Sequence, residues 1–170
     1  RHVPFLINGY TCLDIGASTG GFTQYMLERG AKKVVTVDVG RAQLADSLAR
    51  DMRVEQYENC DIRTFSYHEQ FDFVVVDLSF ISTRELLTHI VSFSRAFFLI
   101  LFKPQFEVGR FVKRSKKGVV VDENAVLHAM KQFECELARL GASILHKAPS
   151  HIQGKEGNQE YFYLCAVQQQ

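Results

Sequence analysis

Three charged residues stand where apolar runs would be expected to end in neutral turns. Asp77 closes the run FVVVD, Lys103 closes FFLILFK ahead of Pro104, and Glu160 enters the last apolar run at GNQEYF. One charge at a strand end can simply be solvated. A lysine and two carboxylates sharing one edge of a sheet, beside a bound ligand, form instead a set able to hold, orient or accept a proton. Whether all three reach one edge depends on the elements behind them.

Short apolar runs alternate with helical patterns along the chain. TCLDI (11–15), KVVTVDV (33–39), FDFVVVDLSF (71–80) and AFFLILFK (96–103) read as strands, with a further strand expected before Asp61. The spacing predicts helices near 20–29, over 41–51 and over 83–93. A longer helix over 122–140 has Val126, Leu127, Met130, Phe133, Leu137 and Leu140 near helical spacing, Asp122 as N-cap and Gly141 as stop. ASILHKA (142–148) and YFYLCAV (161–167) are too close together for a helical crossover and should pair antiparallel at an edge. Strands of unbroken Val, Ile, Leu and Phe are buried on both faces. The expectation is therefore an α/β fold: one domain over 1–170, with a mostly parallel, doubly wound, seven-stranded sheet and an antiparallel C-terminal edge hairpin.

In such a sheet the first strand-to-helix turn binds ligands. Here it reads Asp14, Ile15, Gly16, Ala17, Ser18, Thr19, Gly20, Gly21, Phe22. A dinucleotide fingerprint fails at its second glycine, and a phosphate loop would need a lysine that this turn lacks. The form DxGxxxGG suits S-adenosylmethionine, which brings a charged amino-acid tail and no phosphate. Asp38, followed by Val39, ends the second strand, where a carboxylate can accept hydrogen bonds from both ribose hydroxyls. Asp61 and Ile62 follow the third strand, within reach of an adenine amino group, and Asp77 would border the same pocket. Glycines and aspartates also simply make turns; three such features in this order point to a nucleoside cofactor.

The totals narrow the function classes. The 170 residues are 46% hydrophobic with a formal net charge of +1, so any nucleic-acid surface must be a local patch. Cys12, Cys60, Cys135 and Cys165 are scattered and read as small buried hydrophobes of a reducing, cytoplasmic compartment. No metal-ligand spacing, signal peptide or membrane-length apolar run is visible. The chain opens on Arg1 and reads as a fragment or processed form.

The segments DIGASTGGFT, VDVG, VVVDLSF, FKPQFE, GVVVD and QGKEGNQEYF resemble those of the TlyA, or hemolysin A-like, group, relatives of the FtsJ/RrmJ ribose 2′-O-methyltransferases. The resemblance implies a Rossmann-like methyltransferase fold and transfer of a methyl group from S-adenosylmethionine to a ribose 2′-hydroxyl of ribosomal RNA or ribosomal subunits, at cytidine. It implies catalytic roles for Asp77, Lys103 and Glu160 as three members of a Lys-Asp-Lys-Glu tetrad. Lys103 would orient the hydroxyl or take its proton, Asp77 would hold the lysine, and Glu160 would fix the ammonium or the ribose. The first tetrad lysine should precede the glycine turn, yet residues 1–13 contain none; that lysine and the group's N-terminal S4-type domain are expected to be absent.

GRFVKRSKKG (109–118) follows Lys103 and carries Arg110, Lys113, Arg114, Lys116 and Lys117. Bracketed by glycines, it is expected to be a mobile loop that neutralises RNA phosphates. Phe106 and Phe111 could stack bases or serve as buried anchors, and His151 and Lys155 could approach substrate. Rival readings are a base- or small-molecule-modifying enzyme of the same fold, a module that binds S-adenosylmethionine or RNA without turnover, and a membrane-active protein. A base methyltransferase more often shows a double-proline turn where this chain has DLSF. No membrane partner is expected.

Overall fold

The computed structural model describes residues 6–154 and 156–168. Seven strands form one sheet: β1 (Thr11–Ile15), β2 (Lys33–Val37), β3 (Val54–Tyr57), β4 (Phe71–Val76), β5 (Ser94–Phe102), β6 (Ala142–Pro149) and β7 (Tyr161–Val167). Their spatial order is β3-β2-β1-β4-β5-β7-β6. The first five pair parallel, and β7 pairs antiparallel with both β5 and β6. The chain runs outward from β1 to β2 and β3, then returns to place β4 on the other side of β1. That reversal opens a crevice at the carboxyl ends of β1 and β4.

Alternation along the strands builds two cores, one on each face. Cys12, Val34, Phe73 and Val75 pack with Met26 and Leu27 of α1 (Gly21–Glu28) and Leu48 of α2 (Asp46–Ala49). Leu13, Ile15, Val74 and Val76 face the opposite way, onto α3 (Thr83–Phe93) and, beyond the short α4 (Pro104–Glu107), α5 (Glu123–Arg139). The period of two in β1 thus sends Cys12 and Asp14 to one face and Leu13 and Ile15 to the other.

Several expectations need correction. Residues 41–45 are not helical, and only Asp46–Ala49 forms a turn of helix. Ala42 has φ +52°, its N–H donates to Glu58 Oε1 at 2.9 Å, and Ala45 N–H donates to Thr19 O at 3.0 Å. The segment is committed to lacing β2 to β3 and to the glycine turn. In α5 the Asp122 cap forms, accepting from Ala125 N–H at 3.0 Å, but Leu127 is 64% exposed, because Ala129, Met130, Phe133 and Leu137 already fill the buried stripe. Cys135 is exposed rather than buried. Among the described residues no helix is long and apolar enough to cross a membrane.

The short helix α4, which the apolar pattern does not announce, braces the sheet edge that carries Asp77 and Lys103. Glu107 accepts hydrogen bonds from Ser82 Oγ at 2.6 Å and from Thr83 N–H and Oγ1, both at 2.7 Å. One carboxylate therefore serves as the N-cap that Ser82 does not provide, and it ties the segment after β5 to the segment after β4. Glu107→Ala should lower unfolding free energy by about 1–3 kcal/mol, since Thr83 is left buried with its donors unmatched. Urea denaturation should show a lower midpoint with an unchanged slope.

Candidate active site

The ligand side of the edge is built on Gly16. β1 and β4 stay paired to their ends, with Asp77 N–H donating to Ile15 O at 3.0 Å. Gly16 then turns with φ +77°, and a Cβ at that position would lie 2.1 Å from the Asp77 carbonyl oxygen. Only glycine fits there. Ser18, at φ +51°, donates its N–H to Asp38 Oδ2 at 2.8 Å, and Gly40 N–H donates to Oδ1 at 2.8 Å. Two backbone donors thus set the Asp38 carboxylate at the crevice lined by Ala17, Ser18, Gln43 and Tyr57.

Asp14 lies beneath this turn and is fully buried. Its Oδ2 accepts from Thr23 Oγ1 at 2.6 Å, while Oδ1 has no partner among the described residues. Burial pushes its carboxyl up to about 7; the hydrogen bonds from Thr23 oppose the rise, and the charges of Asp77 and Asp38 add to it. A buried acceptor without a donor is rare in a native fold. It suits a cationic or hydrogen-bonding group that arrives with a ligand.

The candidate reactive side carries three charged residues at strand ends. Lys103 Nζ lies 2.6 Å from Asp77 Oδ1 and donates to Ser79 Oγ at 3.0 Å. Its side chain is only 11% exposed, so the ammonium is held between these two partners rather than free in water. Glu160 enters by register: Phe102 pairs with Tyr161 across β5 and β7, which makes Lys103 and Glu160 the next residues along. The Glu160 contact, however, is with Gln105, whose Nε2 donates to Oε1 at 3.0 Å, and no contact joins it to Lys103.

The remaining predicted residues are distributed as follows. Thr19 and Gly21 are exposed on the turn, Gly20 packs on Leu44 and Leu48, and Phe22 meets Phe162 edge-on with centroids 6.4 Å apart. Val39 is exposed on the rim beside Asp38. Asp61 is paired with Arg63, whose Nη2 approaches to 2.5 Å and holds the carboxyl down at about 2. The Ile62 side chain is buried in the core. Arg110, Lys113, Lys116 and Lys117 are exposed, and Phe111 is 93% exposed with Arg110 5.4 Å above its ring.

The segment carrying these cations is not the free loop expected from its glycines. Ser115 N–H donates to Val119 O at 2.8 Å, Arg114 bridges to Val120, and Val120 N–H donates to Asn158 Oδ1 at 2.9 Å. Arg114 differs from its neighbours: its Nη2 donates to Gln105 O at 2.9 Å and Gly109 O at 3.0 Å. His151 is exposed, and Lys155 lies outside the described residues.

Sequence reasoning passed over Ser79, Phe80, Gln105 and Glu107, although all four lie in strings it quoted, VVVDLSF and FKPQFE. The available signal was position: each follows a charged strand end within four residues. Phe80 is the most conspicuous, 90% exposed at φ +66° with its ring centroid 5.1 Å from that of Phe106.

Asp14 gives this site a signature in pH. Its folded value lies above the ordinary one, so between about pH 4 and 7 the folded protein keeps a proton that the unfolded chain has lost. Its contribution to stability is fully present below that window and declines as pH rises through it. Asp51, Glu55 and Asp61 are held down near 2 by Arg53, Lys33 and Arg63, and their opposing effect is complete by about pH 5. Asp14→Asn should therefore flatten the fall in thermal midpoint between pH 5 and 7. An unchanged slope would remove Asp14 as its source.

The fold agrees with what comparison finds. The description of FtsJ-like methyltransferases matches residues 1–166. The chain is 48% identical to the 23S rRNA (cytidine-2′-O)-methyltransferase TlyA of Campylobacter jejuni over 152 residues, covering 89% of this chain and 60% of that protein. It is 40% identical to the 16S/23S rRNA (cytidine-2′-O)-methyltransferase TlyA of Mycobacterium tuberculosis, covering 95% and 62%, and 37% identical to Hemolysin A of Brachyspira hyodysenteriae, covering 88% and 65%. It therefore spans about three fifths of the length of the curated relatives it matches. The crystal structure of a Lactococcus lactis chain described as a hemolysin superposes with TM-score 0.88 at 34% identity, covering 96% of this chain and 81% of that one. Magnesium protoporphyrin IX methyltransferase from Synechocystis, solved with bound SAM, shares the fold at TM-score 0.67 and 15% identity, covering 95% and 72%. With its glycine turn at the strand crossover and its Asp77–Lys103 pair beside it, this chain belongs to the FtsJ-like methyltransferase family.

Proposed function

We propose that this chain, acting as a single methyltransferase domain over residues 1–170, transfers a methyl group from S-adenosylmethionine to a ribose 2′-hydroxyl of ribosomal RNA, at cytidine, in the cytoplasm. The observation that carries the reading is the Lys103–Asp77 pair, a nearly buried lysine on a half-buried carboxylate, set at two adjacent strand ends beside the Gly16 turn. The activities named for the Campylobacter and Mycobacterium relatives support the substrate class.

The residues present fit the cofactor. The unpartnered Asp14 Oδ1 would receive a donor from its amino-acid end, the Gly16–Gly20 turn would let it approach the backbone, and Asp38 would accept from its ribose. Asp61 would take the adenine amino group once Arg63 yields. When bound, S-adenosylmethionine supplies a methyl carbon already activated by a positive sulfur.

What the protein must add is position. Lys103 has three N–H groups, of which Asp77 and Ser79 engage two. The third is left to hold the ribose hydroxyl with a lone pair facing the methyl carbon. With the cofactor bound, the new carbon–oxygen bond would form as the methyl carbon's bond to sulfur breaks, leaving a neutral thioether, and the hydroxyl proton would become strongly acidic. Lys103 would therefore need only steady the oxygen, and the Asp77 carboxylate of the pair would receive the proton late. Glu160 would fix the ribose from the β7 side. Arg110, Lys113, Lys116 and Lys117 would carry RNA phosphates. The backbone strain at Phe80, of about 1–3 kcal/mol, presents an exposed ring on which a base could stack. Arg114, spent on backbone carbonyls, would contribute little direct RNA affinity.

Transfer of labelled methyl to ribosomal RNA, mapped by resistance of the adjoining phosphodiester to alkali, tests the reaction. It should be run on this chain alone and with the remaining length of the Campylobacter relative fused to it. Lys103→Ala should lower the rate by about 10²–10⁴ while leaving cofactor affinity within a few-fold. Full activity would overturn the assignment, as would label found only on bases. Replacing Lys113, Lys116 and Lys117 together by alanine should weaken RNA binding and make its log–log salt slope shallower by about 2 to 3. Loss of affinity without a change in slope would mean that these lysines do not meet phosphates.

A further inference from the structure

Glu160 is 7% exposed, and its position is set from two sides. On one side Gln105 Nε2 donates to Oε1 at 3.0 Å. On the other lies Gly154, where an added Cβ would stand 2.6 Å from Glu160 Oε1 and 3.3 Å from Gln105 Nε2. Gly154 is held there by a tight turn, its N–H donating to Asn158 O at 2.9 Å and its carbonyl accepting from Gly157 N–H at 2.8 Å. Gln105 is held through its backbone, since Arg114 Nη2 donates to its carbonyl oxygen at 2.9 Å. The side-chain Oε1 of Gln105 is buried with no donor among the described residues. A half-buried amide that gives one of its two N–H donors to a carboxylate and keeps its buried acceptor free has a place for one more group.

Resting on the proposed methyl transfer, we infer that Gln105 is a positioning residue. With Gly154 as the opposite wall, it holds Glu160 in the one orientation that serves the ribose, and its free Oε1 accepts a hydrogen bond that arrives with the RNA. Gln105 is the second residue after Lys103, so the helical turn Pro104–Glu107 points both ends of the reactive set. Lys103 reaches Asp77 before the turn, and Gln105 reaches Glu160 within it. Arg114 links the same residue to the cation-bearing segment, so RNA held on Lys113, Lys116 and Lys117 is registered to Glu160 through a short chain of contacts.

Three substitutions separate this role from general packing. Gln105→Ala removes the donor, Gln105→Glu sets a second carboxylate about 3 Å from Glu160, and Gly154→Ala intrudes sterically where the glycine's backbone is open to any residue. Each is read by single-turnover methyl transfer to ribosomal RNA from about pH 6 to 9, with cofactor affinity by calorimetry and RNA KM measured alongside. Gln105→Ala and Gly154→Ala should each lower kcat about tenfold, with cofactor affinity and RNA KM within about twofold. Gln105→Glu should lose more at neutral pH and regain rate toward pH 6, as the two carboxylates come to share a proton. Wild-type kcat in Gln105→Ala would overturn the inference. So would a loss confined to KM, or a Gln105→Glu profile parallel to that of Gln105→Ala. Should Gly154→Ala fail to fold, as a melting curve would show, the two Gln105 variants still decide the matter. A wild-type chain that binds cofactor yet methylates no RNA would instead bring down the methyl-transfer reading, and this inference with it.

Discussion

No side-chain atom separates Gly16 from the carbonyl of Asp77, and the geometry of the site follows from that contact. β1 and β4 belong to opposite runs of the winding, so their ends would ordinarily part. Asp77 N–H on Ile15 O and Gly16 N–H on Val37 O keep three strand ends in one plane to the last residue. The glycine turn and the Asp77 side chain consequently leave the sheet within one strand spacing of each other, about 5 Å. On the proposed reading, a methyl donor lying on the turn would be within reach of the lysine paired with Asp77. A larger residue at position 16 would part these two strand ends.

The second requirement is that polar groups removed from water be matched. The reactive edge meets it by sharing partners. Glu107 satisfies Ser82 and Thr83, Asp77 and Ser79 satisfy Lys103, Gln105 satisfies one oxygen of Glu160, and Arg114 satisfies two backbone carbonyls. Paired in this way, buried charges cost far less than isolated ones. The buried atoms left over among the described residues are Asp14 Oδ1, Gln105 Oε1 and Arg114 Nη1. Pre-formed polar frames with a few open positions are a common way for enzymes to reserve hydrogen bonds for the reacting complex.

Much of this is legible in the residues. Runs such as FDFVVVD and AFFLILFK are too short and too uniformly apolar for surface helices, and they place Asp77 and Lys103 at strand ends. Gly16, Ser18 and Asp38 converge because any doubly wound sheet brings its first turn and the end of its second strand together. What escapes reading depends on partners distant in sequence. RAQLADSLARD has a helical pattern, but bonds from Ala42 to Glu58 and Ala45 to Thr19 outweigh it. The basic stretch reads as a free loop until Asn158, 38 residues away, pins Val120. Arg114 cannot be told from its basic neighbours by composition, yet it faces inward. The pairing of Gln105 with Glu160 depends on the antiparallel register of Phe102 with Tyr161, which two apolar runs of similar character do not specify.

The strand order also has a kinetic side. β7 occupies an interior lane of the sheet, between β5 and β6, although β6 precedes it in the chain. On emergence from the ribosome, β6 has no neighbour in the sheet to bond with until β7 fills the gap. The hairpin must therefore form first and dock as a unit, or β7 must slide in between. Either way the pairing waits for the last of the described strands to emerge, and its loop closure over some sixty residues is comparable to that of β1 with β4. Because Glu160 stands at the threshold of β7, a half-made sheet would already hold the glycine turn and the Asp77–Lys103 pair but not Glu160. On the role proposed for Glu160, such an order of assembly would keep a nascent chain from acting on RNA before it is finished.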